Sequence, residues 1–133
     1  MIGFMEVLGH GIDLVETARI GQMLDRHGRR FLDRCFTPSE QAYCNENDRR
    51  RVERLAARFA AKEAVLKALG TGWRDGIAWT DVEVVREPSG QPGVKLQGQA
   101  ADVARRLGIG AWLLSLSHTD THAVASVIAL GLP

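Results

Sequence analysis

Apolar positions follow a strand rhythm first, then a long helical one, then a strand rhythm again. Residues 7–12 (V-L-G-H-G-I) are a run of apolar and small residues that predicts a buried strand. From residue 14 to about residue 27 the spacing turns helical, with Ile20, Met23, Leu24 and His27 at helical intervals and Gly28 as the stop. Phe31, Leu32 and Phe36 add core. T-P-S-E (37–40) opens a second helix, with a threonine cap, proline at the first helical position and glutamate at the third. That helix fades near Asn45. A polar turn over 45–48 and an arginine-rich entry over 49–54 lead into a third, long helix. Its buried stripe is Leu55, Phe59, Leu66 and Leu69; Gly70 suits the left-handed position that ends a helix, and Gly72 keeps the exit tight.

After Gly72 the period changes to that of a strand. Residues 77–79 and 81–86 are β-rich, P-S-G-Q-P-G (88–93) is a turn, and 94–97 returns as the second arm of a hairpin. Residues 99–107 form a short helix with Ala100, Val103, Ala104 and Leu107 on one face and Gly108 as its stop. Over 111–118 Trp112, Leu114, Leu116 and His118 alternate with Ser115 and Ser117. T-D-T (119–121) connects to a closing strand over 122–130. The order strand, three helices, hairpin, helix, hairpin predicts an α+β domain, a largely antiparallel sheet with helices packed on one side. The closing strand is apolar on both faces: Ala123, Ala125 and Val127 alternate with Val124, Ser126 and Ile128. Helices on one face leave the other in need of a partner, because a wet face alternates more cleanly.

Composition narrows the classes. The 133 residues fit one domain, 1–133, with a modest core and no repeat or interdomain linker. A net charge of +1 argues against a bulk polyanion binder, so no nucleic acid is expected. Charge is uneven, however. Arg19, Arg26, Arg29, Arg30 and Arg34 face only Asp25 and Asp33 over 19–34, which suits either an acidic partner or a solvated helix face. Cys35 and Cys44 make no metal pattern. The first residues lack a basic start followed by an apolar run, and no stretch approaches the roughly 20 apolar residues of a membrane span. A cytoplasmic protein with free thiols and no membrane partner is expected. Met5 is a second candidate start beside Met1.

Several residues interrupt the pattern where chemistry is plausible. Lys62 falls on the buried stripe, and Glu63 and Lys67 sit at its margin one turn apart. Asp13 follows the first strand directly. Each has a structural reading. Glu63 and Lys67 suit a helix-surface ion pair worth roughly 0.3–0.5 kcal/mol. Lys62 suits a side chain that lays its methylenes on the core and lifts its ammonium into water. Asp13 and Glu16 have the spacing of a capping box. The other reading is a site that handles phosphate and metal.

The string F-A-A-K-E-A-V-L-K-A-L-G-T-G (59–72) resembles the signature of the phosphopantetheinyl transferases, specifically the short holo-acyl-carrier-protein synthase type. That signature has an aromatic, then K-E-A, a lysine four residues after the glutamate, then G-T-G. G-H-G-I-D-L-V-E (9–16) resembles the family's first motif, glycine-x-glycine-x-aspartate, with His10 in place of the usual apolar residue. The segment 115–128 resembles its serine-x-serine/threonine-histidine-threonine region, with His122 in place of a common aromatic. The three matches occur in family order and span 7–128.

The resemblance implies the 4′-phosphopantetheinyl transferase fold. It also implies transfer of 4′-phosphopantetheine from coenzyme A to a serine of apo-acyl carrier protein, with adenosine 3′,5′-bisphosphate as co-product. Charge builds on phosphate oxygens in such a step. Mg2+ suits it, since it takes one or two carboxylates and fills its shell with waters and phosphate oxygens. By this resemblance Asp13 and Glu63 hold the metal. Lys67 neutralises pyrophosphate charge or assists the leaving group, and Lys62 does the same or orients Glu63. Arg58, Lys67, Gly70, His118 and Thr119 contact coenzyme A, with Arg58 and His118 directed to its 3′-phosphate. The helix after Asp13 docks an acidic carrier through Arg19, Met23, Arg26 and Arg30. The family also implies a homotrimer with coenzyme A between protomers, Asp13 and Glu63 coming from one chain and His118 and Arg58 from the next. Two other functions fit the same residues: a Mg-dependent nucleotide pyrophosphatase, and a non-catalytic adaptor for an acidic protein.

Overall fold

The computed structural model describes residues 5–74 and 76–132; Met1, one of the two candidate starts, lies outside them. Strand β1 (Glu6–Glu16) leads into helices α1 (Thr17–His27), α2 (Arg29–Cys35), α3 (Pro38–Asn45) and α4 (Arg51–Leu69). Strands β2 (Val82–Arg86) and β3 (Pro92–Leu96) follow, then α5 (Gly98–Arg106), β4 (Ile109–His118) and β5 (His122–Gly131). The strands form an antiparallel sheet of order β1-β5-β4 and a separate β2-β3 hairpin. This is the expected α+β arrangement.

Helix α4 lies across β1 and β5, and small residues let it lie close. Ala60, Ala61 and Ala64 of the helix and Ala123, Ala125, Val127 and Ala129 of β5 have no exposed surface. Gly9 and Gly11 of β1 touch the helix backbone itself. A Cβ on Gly9 would stand 2.5 Å from the Ala68 carbonyl oxygen, and one on Gly11 only 1.8 Å from that of Ala64. The opposite side of α4 buries Leu55, Phe59, Leu66 and Leu69 against α1–α3 and the hairpin. The far face of the sheet is bare: Ile12 is 54% exposed, Leu14 64% and Leu113 55%.

Some expectations are met locally. Thr37 and Glu40 form the capping box, each side chain accepting from the other's backbone N–H. Gly70 ends α4 at φ 78° with its N–H on the Leu66 and Lys67 carbonyls. Other boundaries differ. β1 does not end before Asp13 but runs to Glu16, where it still pairs with His122 of β5. Asp13 therefore sits in mid-strand opposite Ala125 and caps nothing; α1 begins at Thr17. The ladder to a long partner strand outcompetes the local capping pattern, which offers only a side-chain bond. Gly28, at φ 50°, breaks the chain and a further helix restarts over Arg29–Cys35, so four helices precede the hairpin rather than three. Residues 77–79 are not a strand; a 3-10 turn spans Trp79–Asp81. Among the described residues no helix is long and apolar enough to cross a membrane.

Candidate active site

The strand alternation places Asp13 on the same face as Gly11, toward α4. There Lys67 Nζ donates to Asp13 Oδ1 at 3.0 Å and to the Ile12 carbonyl at 2.9 Å. Lys67 thus pairs across to the strand, and the expected helix-surface pair with Glu63 does not form. Glu63 is the half-buried residue in an otherwise buried stretch of α4, and Trp73 Nε1 donates to its Oε1 at 3.5 Å. Burial pushes the Glu63 carboxyl above its ordinary range and the Asp13 charge adds to this; the Trp73 hydrogen bond, Lys67 and Arg19 act the other way. Two carboxylates beside a lysine form a hard-oxygen donor set that suits Mg2+. Among the described residues no group of three or more metal-ligating side chains gathers, so a cation held here would fill its shell with waters and substrate oxygens.

Lys62 points to the other side of α4. It is fully buried, with Nζ 2.8 Å from Glu40 Oε1 and donating to the Trp79 and Val82 carbonyls. Its ammonium does not reach water, contrary to the snorkelling reading. Glu40 also accepts from the backbone N–H of Thr37 at 2.9 Å and of Val84 at 2.8 Å. Burial pulls the Lys62 ammonium below its ordinary value and the Glu40 charge opposes this. Three acceptors match the three N–H donors of the ammonium. Cys35 and Cys44 are also buried, and burial pushes both thiols up to about 11, so neither is a nucleophile at neutral pH.

A second cluster lies toward the start of α4. His118, at the end of β4, brings Nδ1 to 3.4 Å from Glu53 Oε2. The two line a cleft of about 430 Å3 with Asn47, Arg49, Arg50 and Thr119. The Thr119 hydroxyl accepts from the Thr121 and His122 backbones, which fixes the turn that presents His118. Arg58 is 5% exposed, its guanidinium lies 4.1 Å from the Tyr43 ring centroid, and its buried Nε has no hydrogen-bond partner. Arg54 and Arg86 stack over the same ring at 4.2 and 5.1 Å, and Arg86 donates to the Tyr43 hydroxyl at 3.2 Å. Three guanidiniums around one aromatic ring make an electropositive wall suited to phosphate.

The structure therefore brings Asp13, Glu63 and Lys67 together and sets His118 and Thr119 toward the start of α4, with Arg58 five residues before Glu63 on the same helix. Ten residues separate Glu53, the His118 contact, from Glu63, which is about 15 Å of helix rise. Gly70 lies at the exit of α4 with nothing within 4 Å of a would-be Cβ. Of the arginine face, Met23 and Arg30 line a groove of about 300 Å3 with Phe31, Phe59 and Trp79. The Arg19 guanidinium lies 6.0 Å from the Phe59 centroid, and Arg26 is exposed outside that lining. Sequence reasoning missed Tyr43, Arg86, Trp73 and Glu40. Glu40 carried a cap signal that hid its second role; the other three show no periodicity, and only long-range packing assembles them.

Residues 9–126 match the family model of the 4′-phosphopantetheinyl transferase superfamily. A holo-[acyl-carrier-protein] synthase of Koribacter versatilis is 55% identical over 122 residues, covering 92% of this chain and 97% of its own. An acyl carrier protein synthase of Plasmodium yoelii, solved with ADP bound, superposes with a TM-score of 0.85 at 30% identity, covering 98% of this chain and 100% of its own. A holo-[acyl-carrier-protein] synthase of Helicobacter pylori, solved in complex with coenzyme A, gives a TM-score of 0.79 at 30% identity, covering 90% of this chain and 98% of its own. Motifs, fold and close relatives agree along nearly the whole length, and the chain belongs to the 4′-phosphopantetheinyl transferase superfamily, among its holo-acyl-carrier-protein synthases.

Proposed function

We propose that residues 1–133 form one cytoplasmic holo-acyl-carrier-protein synthase domain. It moves 4′-phosphopantetheine from coenzyme A to a serine of an acidic apo-acyl carrier protein and leaves adenosine 3′,5′-bisphosphate. The observation that carries this reading is the convergence of Asp13, Glu63 and Lys67 where β1 meets α4. Asp13 and Glu63 hold Mg2+. The ion, when bound, stabilises the negative charge that develops on the pyrophosphate oxygens. Lys67 already stands over Asp13 and supplies a second positive charge at the same place without reorganisation. Lys62 acts from behind this face as a support, because its ammonium is spent on Glu40 and two carbonyls.

The 3′-phosphate of the nucleotide goes to the Arg58 and His118 cluster. A buried guanidinium with an unpaired Nε is poorly solvated and gains from an anion. His118 of that cluster stands at Glu53, about 15 Å of helix rise before Glu63, with Arg58 between them on α4. This favours a homotrimer in which coenzyme A bridges two protomers. The exposed apolar face of β1 and β4 supplies surface for such an assembly. The carrier docks over Arg19, Met23, Arg26 and Arg30, where a cationic rim surrounds the Phe31 and Phe59 groove.

Incubation with coenzyme A, Mg2+ and an apo-carrier tests the reading. Carrier mass should rise by one phosphopantetheine. Coenzyme A cleavage with an unchanged carrier would mark a pyrophosphatase instead, and no reaction at all would mark an adaptor.

A further inference from the structure

Glu63 has one polar neighbour that the transfer chemistry above does not use. Trp73 lies beyond the end of α4, and its indole N–H donates to Glu63 Oε1 at 3.5 Å. Among the described residues Oε2 carries no hydrogen bond. The contact is long for an N–H···O bond, so its energy is small and its effect is on orientation. What makes the indole a fixed donor is the packing behind it. The Trp73 ring lies on Trp79 with centroids 3.8 Å apart, and Trp79 stacks on Phe59 of α4 at 4.7 Å and 27°. Lys62 donates to the Trp79 carbonyl at 3.1 Å, and Glu40 holds Lys62 at 2.8 Å. A line of contacts thus runs from the cap of α3, through the buried side of α4, round to the half-buried carboxylate on its other side.

The segment that carries Trp73 is anchored at its far end, where Ile77 is buried in the core and the Ala78 N–H donates to Asp81 Oδ2. Gly72 and Gly76 both take positive φ, and the described residues from Thr71 to Ala78 form no helix or strand. The Trp73 indole itself rests on Trp79, whose carbonyl accepts from Lys62. A glutamate side chain has three soft torsions, the last of them broad. Fixing one oxygen before a ligand arrives removes part of the ordering cost of binding.

We propose that Trp73 is a positioning residue for Glu63: its indole occupies Oε1 and turns Oε2 to the cation. This rests on the metal reading given above. Neighbours of this kind typically change metal affinity by about 10-fold or more when removed.

Trp73→Phe keeps an aromatic ring on Trp79 and deletes only the donor. Mg2+ is titrated calorimetrically into the wild-type protein and the variant, each saturated with coenzyme A. The variant should bind Mg2+ about 10-fold more weakly. Its melting temperature without metal and its KM for carrier should stay at wild-type values while kcat falls. Equal Mg2+ affinity in the two proteins overturns the inference alone. A variant that loses affinity only together with a lowered melting temperature also overturns it, because Trp73 would then be a packing residue. A wild-type protein that takes up no Mg2+ overturns the metal reading and the inference with it.

Discussion

Gly11 meets α4 backbone to backbone: a Cβ on it would stand 1.8 Å from the Ala64 carbonyl oxygen. This contact holds strand and helix at a spacing that lets Asp13, two residues on, meet Lys67 and Glu63. Gly11→Ala should lower stability by about 3 kcal/mol, since neither backbone can yield without moving the sheet. Transfer activity should fall further than stability, because any shift moves Asp13. Gly21→Ala is the contrast: its nearest neighbour is Val52 Cγ1 at 3.9 Å, and alanine in a helix should gain up to about 1 kcal/mol. Urea unfolding of both variants decides the matter; equal effects would remove the close-approach explanation.

The Lys62 and Glu40 pair is coupled and buried, so its two halves should fail separately and recover together. Lys62→Met leaves a buried carboxylate without its cation and should cost about 3–5 kcal/mol. Adding Glu40→Gln removes the stranded charge and should restore part of that loss. A double-mutant cycle in guanidinium measures the coupling. Strictly additive effects would mean that the 2.8 Å contact carries no pairwise energy.

How far these features can be read from residues alone follows from where their partners lie. The Thr37 and Glu40 capping box is closed within four residues, and the pattern T-P-S-E announces it. The Gly70 stop and the alternation of β4 and β5 are local in the same way. Asp13 could be read as a cap because the strand that overrides that cap comes at the opposite end of the chain. Lys67 had an acceptor one turn away in Glu63 and chose Asp13 instead, which only the Gly11 contact makes reachable. Lys62 was legible as inward-pointing from its place on the stripe, but its partner sits on another helix. Of the three arginines around Tyr43, Arg54 and Arg58 share the i,i+4 spacing of one face of α4, but Arg86 comes from β2 and only packing brings it to the same ring.

Glu63 should leave a pH signature on the metal-free protein. Burial first, and Asp13 second, raise its carboxyl above the ordinary value of 4.5. A carboxyl that holds its proton more tightly when folded favours the folded state at low pH, and that contribution is lost as pH rises through the raised value. Glu63→Gln removes the titration. In EDTA the variant and wild type should melt together below the ordinary carboxylate range, and the variant should be the more stable at pH 7. Parallel melting curves across pH would show that Glu63 is not strained by its surroundings.

The arginine face should discriminate between the two substrates. Arg19 and Arg30 border the Phe59 groove and lie away from the Arg58 cluster. Charge reversal, Arg19→Glu or Arg30→Glu, should raise KM for the carrier about 10-fold or more and leave that for coenzyme A near wild type. Wild-type affinity for carrier should weaken as salt rises. Indifference to salt, or an equal loss for both substrates, would move the docking face elsewhere.

The separation of Glu63 from His118 gives the strongest test of assembly. His118 contacts Glu53, about 15 Å of helix before Glu63, so a coenzyme A spanning both clusters needs the nearer copy of each. The proposed trimer takes those copies from adjacent chains. Glu63→Ala and His118→Ala should each be nearly inactive alone. Unfolded together in equal amounts and refolded, they should recover about a quarter of wild-type activity, the one half times one half of interfaces that join an intact Glu63 to an intact His118. Light scattering should report a trimer throughout. A monomer would end the shared-site argument at once, whereas a trimer whose mixed mutants stay inactive would place both clusters' work within one chain.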